Sequence, residues 1–118
     1  MTMLTNSTAY GFAQANFALD RLWDFFDGDR ASLNIAHECI DRHATDDLRV
    51  AVRVAHADGH DEAITFREIA ALSSQFAHWL EARGVGPGDR VAIMLDPSLA
   101  FYAAMFGAMK RGAIAVPL

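Results

Sequence analysis

A thiol and an imidazole in the first half of the sequence have a spacing that nucleophilic catalysis can use. Cys39 and His43 lie four residues apart, so on a helix the imidazole could act as a base toward the thiol. Together with His37 they could also bind a metal ion. A lone cysteine beside a helical histidine is far more often a packed side chain, and this set lacks the paired spacing of a structural zinc site. We therefore predict that these side chains pack and neither catalyse nor bind metal.

A second set of possible metal ligands consists of His56, Asp58 and His60. The same stretch contains Asp58-Gly59, which is a strong signal for a hairpin turn between two strands. The three side chains would then lie across the turn, without the paired spacing that a structural zinc site needs. We predict a hairpin here and no metal site.

The glycine-rich stretch Gly84 to Gly88 could be taken for a nucleotide-binding loop. It follows a predicted helix and precedes a predicted strand, and its sixth position is Asp89. A dinucleotide fingerprint follows a strand, opens a helix and has glycine or alanine at that position. The stretch is therefore predicted to be a turn.

Lys110, the only lysine of the chain, lies at the end of a predicted helix together with Arg111. The negative end of the helix macrodipole accounts for both charges. A single lysine without a phosphate-binding loop or a nearby magnesium carboxylate does not make a nucleotide site. We therefore assign no catalytic, cofactor-binding or metal-binding residue within residues 1–118.

The composition is that of a globular protein. Of the 118 residues, 53% are apolar and 21% are charged, which argues against disorder. The formal net charge is −5 and no basic cluster occurs, so the chain has no electrostatic footprint for nucleic acid or for an acidic membrane surface.

The sequence predicts a cytoplasmic protein. Its first twenty residues contain no lysine or arginine and no continuous apolar stretch, so they do not resemble a secretory signal. The longest apolar run, 99–109, is shorter than the roughly 20 residues that span a bilayer. The lone Cys39 is typical of a reducing compartment.

The elements that would position these residues begin with a helical lead-in over about residues 9–44. Apolar residues recur at helical spacing from Phe12 to Phe26, which predicts one amphipathic helix closed by the turn at 27–29. Ser32 is predicted to cap a second helix that continues to about Ala44.

A small hairpin and a long helix follow. Residues 50–54 alternate as a strand, and residues 63–65 return after the turn. Thr65 and Glu68 form a capping box, which marks the start of an amphipathic helix over residues 66–83.

The α/β part, about residues 50–118, ends with a parallel β-α-β unit. Its strands are predicted at 91–95 and 113–118, adjacent in one sheet. Between them Asp96-Pro97 is predicted to begin a helix that runs to Arg111. The predicted fold class is α/β, with helices, then a hairpin, then the parallel unit.

Three stretches of the sequence resemble the adenylate-forming enzymes, which include acyl-CoA synthetases, luciferases and adenylation domains of peptide synthetases. They are "ITFREI" (64–69), "MKRGAIAVPL" (109–118) and, upstream, "LNIAHECIDRHA" (33–44). The last is more similar to the acetyl-CoA and medium-chain acyl-CoA synthetase branch. The resemblance covers most of the chain after Leu33.

This resemblance implies a two-step ligase that uses ATP, Mg²⁺ and coenzyme A. A carboxylate forms an acyl-adenylate, and the thiol of coenzyme A then takes the acyl group. In the family the phosphate loop, the ribose-binding acid, the magnesium ligand and the catalytic lysine all come after the strand at 113–118. The resemblance thus implies that this chain is the N-terminal portion of the AMP-binding large domain and is inactive alone.

Two alternatives stay open on the sequence. One is a stand-alone α/β binding or dimerisation module without chemistry, and the other is the start of an amino-acid adenylation domain. The acid that is activated is left open by the sequence.

The chain is also predicted to be incompletely packed. The helix over 99–109 is apolar nearly all round, and the aromatic stripe around Trp23 needs a partner surface. We read both as core and not as an acyl-binding pocket. The chain alone is therefore expected to self-associate.

Overall fold

The computed structural model describes residues 7–118. Their contacts divide the chain into two compact units, one ending at Leu33 and one covering Asn34–Leu118. The two units are described separately below.

The first unit does not contain the single amphipathic helix that was predicted. Helix α1 (Ser7–Ala15) is followed by a 3₁₀ helix (Leu19–Phe25), and Ala18 between them is extended, with φ −141°. The Asn16 side chain donates to the Phe12 carbonyl oxygen at 2.8 Å, beside the Asn16 backbone bond to the same oxygen at 3.0 Å. Asparagine side chains compete in this way with helix continuation, which explains why α1 ends here.

The second unit begins with a short helix whose cap differs from the prediction. Helix α2 (Ile35–Cys39) is capped by Asn34, whose side-chain oxygen accepts from the Ala36 and His37 amides. The predicted cap, Ser32, instead donates its backbone and hydroxyl hydrogens to the Asp29 carboxylate, each at 2.9 Å.

The predicted continuation of this helix to Ala44 is interrupted at Ile40, which has φ −122° and ψ −65°. A 3₁₀ turn (Asp41–His43) follows. Ala36 and Ile40 are buried, whereas Leu33 is 40% exposed.

The predicted hairpin is confirmed. Strands β1 (Val50–Ala55) and β2 (Asp61–Thr65) pair antiparallel, and β2 starts two residues before the predicted return. Gly59 at the turn has φ +89°, a conformation that glycine adopts without strain.

Helix α3 (Phe66–Ala82) follows β2 directly, in agreement with the prediction for residues 66–83. The capping box is present: the Glu68 amide donates to the Thr65 hydroxyl oxygen at 3.2 Å, and the Thr65 amide donates to the Glu68 carboxylate at 2.8 Å. Gly84, with φ +77°, ends the helix.

The predicted parallel unit is also confirmed. Strand β3 (Arg90–Ile93) and strand β4 (Ile114–Pro117) pair in parallel and are joined by helix α4 (Leu99–Lys110). The N-cap is Ser98 and not Asp96: the Ser98 hydroxyl accepts from the Phe101 amide at 3.2 Å, so α4 begins later than predicted.

Helices α3 and α4 pack very closely. The buried residues of α4 are small, namely Ala103, Ala104, Gly107 and Ala108. A Cβ atom on Gly107 would lie 2.7 Å from the Ser73 carbonyl oxygen and 2.9 Å from Phe76 Cδ1. This contact helps to hold the parallel unit against α3, and it requires glycine.

Two clusters of buried residues form the core of the second unit. One contains Ile40, Ile64 and Ile69, and the other contains Leu80, Ala108 and Ala113. Within residues 7–118, no helix has the length and apolar character needed to cross a bilayer.

Candidate functional site

The thiol and imidazole considered for catalysis do not share a helix. Helix α2 ends at Cys39, and His43 lies in the following 3₁₀ turn. Cys39 is exposed, so the prediction that its side chain packs is wrong. His43 is half-buried and its ring lies 5.3 Å from that of Phe66, which agrees with a packing role. His37 is exposed, and its backbone amide bonds the Asn34 cap.

The second histidine set does come together at the hairpin turn. The rings of His56 and His60 stack in parallel with centroids 4.0 Å apart. His60 Nδ1 lies 2.8 Å from Asp58 Oδ1, and His56 Nε2 lies 3.6 Å from a Glu62 carboxylate oxygen. Hydrogen bonds from the backbone and then the ring of His60 lower the pKa of Asp58.

This arrangement pairs each imidazole with a different carboxylate. Across the described part of the chain, 7–118, no three His, Cys, Asp or Glu side chains are placed to hold one metal ion. The 3.6 Å contact of His56 is too long for a hydrogen bond, and its buried Nε2 has no hydrogen-bond partner among the described residues.

The glycine-rich stretch lies in a turn between α3 and β3, as predicted. Gly86 donates its amide to the Asp89 carboxylate at 2.8 Å, and Gly88 donates its amide to the Gly112 carbonyl oxygen at 3.0 Å. Because these amides already have acceptors within the protein, they do not form an open cradle for phosphate oxygens.

Lys110 has a role that its position at a helix end does not reveal. Its ammonium nitrogen lies 2.7 Å from Asp41 Oδ1 and donates to the Ala70 carbonyl oxygen at 3.0 Å and to Ser74 Oγ at 2.9 Å. The side chain is only 13% exposed. Two hydrogen bonds and one ion pair therefore engage the ammonium group, so Lys110 joins the turn after α2 to α3 and α4.

Arg111, the neighbouring cation, is also used internally. Its Nε donates to the Val85 carbonyl oxygen at 2.9 Å, and its guanidinium lies 3.4 Å from a Glu81 carboxylate oxygen. With Lys110 also engaged, these residues do not fit the phosphates of ATP or a magnesium ion.

The second unit has an apolar groove between α3 and α4, which we call the α3–α4 groove. It encloses about 460 Å³. The lining residues are Leu72, Gln75, Phe76, Trp79, Leu95, Ala100, Ala103 and Ala104. The prediction that helix 99–109 belongs to the core is correct for Ala103 and Ala104, which are buried. The sequence analysis did not predict the groove that these residues help to line.

The side chains at the rim of the groove are about half exposed. Trp79 is 48% exposed and Leu95, just after β3, is 49% exposed. The Arg83 guanidinium lies over the Trp79 ring, 3.6 Å from its centroid. The sequence analysis assigned Leu95 to the strand predicted at 91–95, because it continues the same apolar run. In the structure β3 ends at Ile93, so Leu95 lies beyond the strand.

The groove lies near the carboxyl end of the parallel pair, where open α/β sheets bind ligands. Its lining contains neither a charged side chain nor a nucleophile. The arrangement can bury apolar groups, but it offers no general acid, base or oxyanion donor.

Solved structures similar to this fold include two acyl-activating enzymes. The acyl-CoA synthetase of Brucella canis aligns with a TM-score of 0.75 and 29% identity, over 90% of this chain and 20% of that one. A fatty acyl-adenylate ligase from L. pneumophila, solved with acyl adenylate and pyrophosphate, aligns with a TM-score of 0.65 over 75% of this chain, and at 24% identity it shows the shared fold alone.

The sequence relatives agree. The acetyl-coenzyme A synthetase of Thiobacillus denitrificans is 37% identical over 87 residues, and that of Burkholderia mallei is 40% identical over 91 residues. These alignments cover 73% and 75% of this chain and 13% of each relative.

Residues 40–118 match the AMP-binding enzyme family, and the chain belongs to that family. The predicted resemblance to adenylate-forming enzymes of the acyl-CoA synthetase branch is confirmed, as is the α/β fold class.

Proposed function

We propose that this chain is the N-terminal part of an AMP-forming acid–CoA ligase. The observation that carries the proposal is the family match over residues 40–118, together with 37–40% identity to acetyl-coenzyme A synthetases. In the proposed reaction a carboxylate oxygen attacks the α-phosphorus of ATP and pyrophosphate leaves. The sulfur of coenzyme A then attacks the acyl carbon, and AMP leaves.

Within that ligase, the chain has a structural role. We assign residues 9–44 to a helical lead-in and residues 50–118 to the first α/β part of the AMP-binding large domain. ATP, Mg²⁺, the carboxylic acid and coenzyme A would be held by the rest of the protein. The support is that the amides of Gly86 and Gly88 and the ammonium of Lys110 already bond within the chain.

The proposal extends to the setting in which the protein works. A single, exposed thiol, Cys39, is typical of a reducing compartment, which favours the cytoplasm. Alone, the chain is expected to self-associate through its exposed apolar side chains, which sedimentation at increasing concentration would detect.

The test is acid-dependent exchange of labelled pyrophosphate into ATP. The 118-residue chain is assayed beside a protein extended to the natural stop codon. We expect exchange only by the extended protein, because losing even one donor to the transferring group typically costs about a hundredfold or more in rate.

Exchange by the 118-residue chain, above a contaminant control, would contradict the proposal that its chemistry lies elsewhere. A stop codon directly after Leu118 would favour the non-catalytic module instead.

A further inference from the structure

The turn between β1 and β2 contains an aspartate followed by glycine, a pair that can react with itself. The backbone nitrogen after an aspartate can attack the side-chain carboxyl carbon, because the succinimide ring that closes is small and unstrained. Glycine favours this attack, since it has no side chain to shield its nitrogen. The Asp58 side chain is 72% exposed. Apart from the two adjacent residues, no heavy atom lies within 4 Å of the place where a Gly59 Cβ would be.

The folded turn holds both reacting groups in hydrogen bonds. Asp58 Oδ1 accepts from the His60 amide at 3.1 Å and lies 2.8 Å from His60 Nδ1. The Gly59 amide donates to the His56 carbonyl oxygen at 3.0 Å. The Gly59 nitrogen must leave this acceptor and the Asp58 carboxyl must leave His60 before the two can react. The reaction therefore competes with the hydrogen bonds of the turn.

The charge of the Asp58 carboxyl also slows the attack. A carboxylate carbon is a poorer electrophile than the carbon of a carboxylic acid. Hydrogen bonds from the backbone amide and then the ring of His60 lower the pKa of Asp58. The contacts with His60 thus restrain the side chain and also keep it in its less reactive form.

We propose that Asp58 is a site of spontaneous isomerisation to isoaspartate, which the hydrogen bonds of His56 and His60 hold back in the folded protein. The Gly59 nitrogen forms a bond to Asp58 Cγ. The carboxyl group loses its hydroxyl and the amide loses its proton, and these leave together as water. Solvent water then opens the succinimide at its main-chain carbonyl, so that the chain continues through the former side-chain carbon. This modification is independent of the proposed ligase reaction.

The product has one more carbon atom in the main chain of the turn. The strand pair next to the turn is Ala55 with Asp61. We expect isomerisation to weaken the hairpin from this pair outward, while the parallel pair of β3 and β4 remains intact.

Mass spectrometry tests the proposal without using activity. The folded 118-residue chain is incubated at physiological pH and temperature, beside the same chain unfolded in guanidinium chloride. Isoaspartate at position 58 is measured by electron-transfer fragmentation, which distinguishes it from aspartate of the same mass. The measurement is specific for this position, because Asp27 and Gly28 form the same pair elsewhere in the chain.

We expect isoaspartate at position 58 to form about tenfold or more slowly in the folded chain, because the reaction requires the turn to open. Equal rates in the two states would overturn the protection by the turn. Absence of isoaspartate at position 58 from the unfolded chain would overturn the site itself. Asp58→Glu should abolish the signal, because the ring to be closed is then larger by one atom. A signal that persists would contradict the succinimide route.

Two variants of His60 separate its hydrogen bond from its ring contact. His60→Phe keeps a ring that can stack on His56, 4.0 Å away, but it lacks the Nδ1 donor. It should react about two- to fivefold faster than the original chain, because one hydrogen bond to a charged group is lost and the stronger one, from the backbone amide, remains. His60→Asn has a donor at the corresponding side-chain position and should restore a slow rate. Equal rates in His60→Phe and the original chain would overturn the role of the ring nitrogen, and so would a His60→Asn variant as fast as His60→Phe.

A distant histidine distinguishes local protection from general loosening. His78 lies on α3, away from the turn, so His78→Ala should isomerise at position 58 at the original rate. A comparable acceleration in His78→Ala would mean that overall stability sets the rate, and it would overturn the proposal. In guanidinium chloride, the two variants of His60 should react at equal rates. A difference that persists there would likewise contradict protection by the folded turn.

Discussion

The two units of this chain use their aromatic residues in opposite ways. In the first unit Tyr10, Phe12 and Phe17 are 70%, 68% and 55% exposed. In the second unit Phe66 and Phe106 pack against the cluster of Ile40, Ile64 and Ile69. Both regions show apolar residues at helical spacing, but among residues 10–118, whose burial is described, all buried apolar residues lie in the second unit.

This difference shows why periodicity alone is an incomplete guide. An amphipathic stripe forms a long helix when a partner buries it, as α4 does for α3. Without such burial, a single asparagine side chain is enough to end the helix, as Asn16 does in the first unit.

The largest expected effect comes from the buried cluster. Ile69 is fully buried, so Ile69→Ala should lower the free energy of unfolding by about 2–5 kcal/mol through lost burial and the cavity left behind. Urea unfolding followed by circular dichroism measures it. Leu19→Ala, at a residue 76% exposed in the first unit, is the control and should change stability by less than about 0.5 kcal/mol. Similar losses in both variants would mean that the first unit also has a stabilising core.

Glycine-to-alanine substitutions in α4 and α1 compare the packing of the two units directly. Gly107→Ala should cost about 1–3 kcal/mol, because the new Cβ would clash with the Ser73 carbonyl and Phe76. Gly11→Ala in α1 meets nothing within 4 Å, so it should be neutral or stabilise by up to about 1 kcal/mol through helix propensity. Thermal unfolding of the two variants checks both signs. A stable Gly107→Ala variant would show that α3 and α4 can separate at no cost.

Removing the capping box of α3 should lower the free energy of unfolding by a moderate amount. Thr65→Ala removes the hydroxyl that accepts from the Glu68 amide, and loss of such a cap typically costs about 1 kcal/mol. Ser32→Ala is the matched control, because Ser32 bonds Asp29 in an exposed turn and caps no helix. Urea midpoints that fall equally in both variants would contradict a capping role for Thr65.

The smallest expected effects are changes in the pKa values of two carboxyl groups, those of Glu68 and Asp29. Hydrogen bonds from the Thr65 amide and then its hydroxyl lower the pKa of Glu68 below its usual 4.5. The folded-state pKa is below the unfolded value, so this contribution to stability is complete above about pH 4.5 and is lost as the pH falls through the lowered value.

The pKa of Asp29 is lowered first by the Ser32 hydroxyl. Ser32→Ala should therefore raise the Asp29 pKa toward its usual value, while the Ala31 and Ser32 backbone amides continue to lower it. Thr65→Ala should return that of Glu68 only in part, because the Thr65 backbone amide remains. NMR chemical shifts of the two side-chain carboxyl groups, measured as a function of pH, give both pKa values. A larger pKa change for Glu68 in Thr65→Ala than for Asp29 in Ser32→Ala would contradict the assigned causes.

The sequence predicted those parts of the fold that depend on neighbouring residues. The Thr65 and Glu68 pair and Gly84 each act within a few residues, and the structure places the ends of α3 accordingly. The parallel pair was also predictable, because continuous apolar strands joined by a helix leave few other topologies.

Contacts between distant residues explain the failures. Asn34 caps α2 while its side-chain amide donates to the Met109 carbonyl oxygen at 3.3 Å, and no local pattern distinguishes it from Ser32. The partners of Lys110 are likewise distant in sequence, and the α3–α4 groove exists only once the two helices are packed.

The low exposure of the Lys110 side chain, 13%, allows this residue to report local unfolding. As the chain has no other lysine, a lysine-specific protease has a single target bond, Lys110–Arg111, at the end of α4. With its ammonium held by Asp41, Ala70 and Ser74, that side chain cannot enter a protease pocket until this part of the protein opens. The rate of one cut, yielding two fragments of known mass, therefore counts opening events of the second unit without any label.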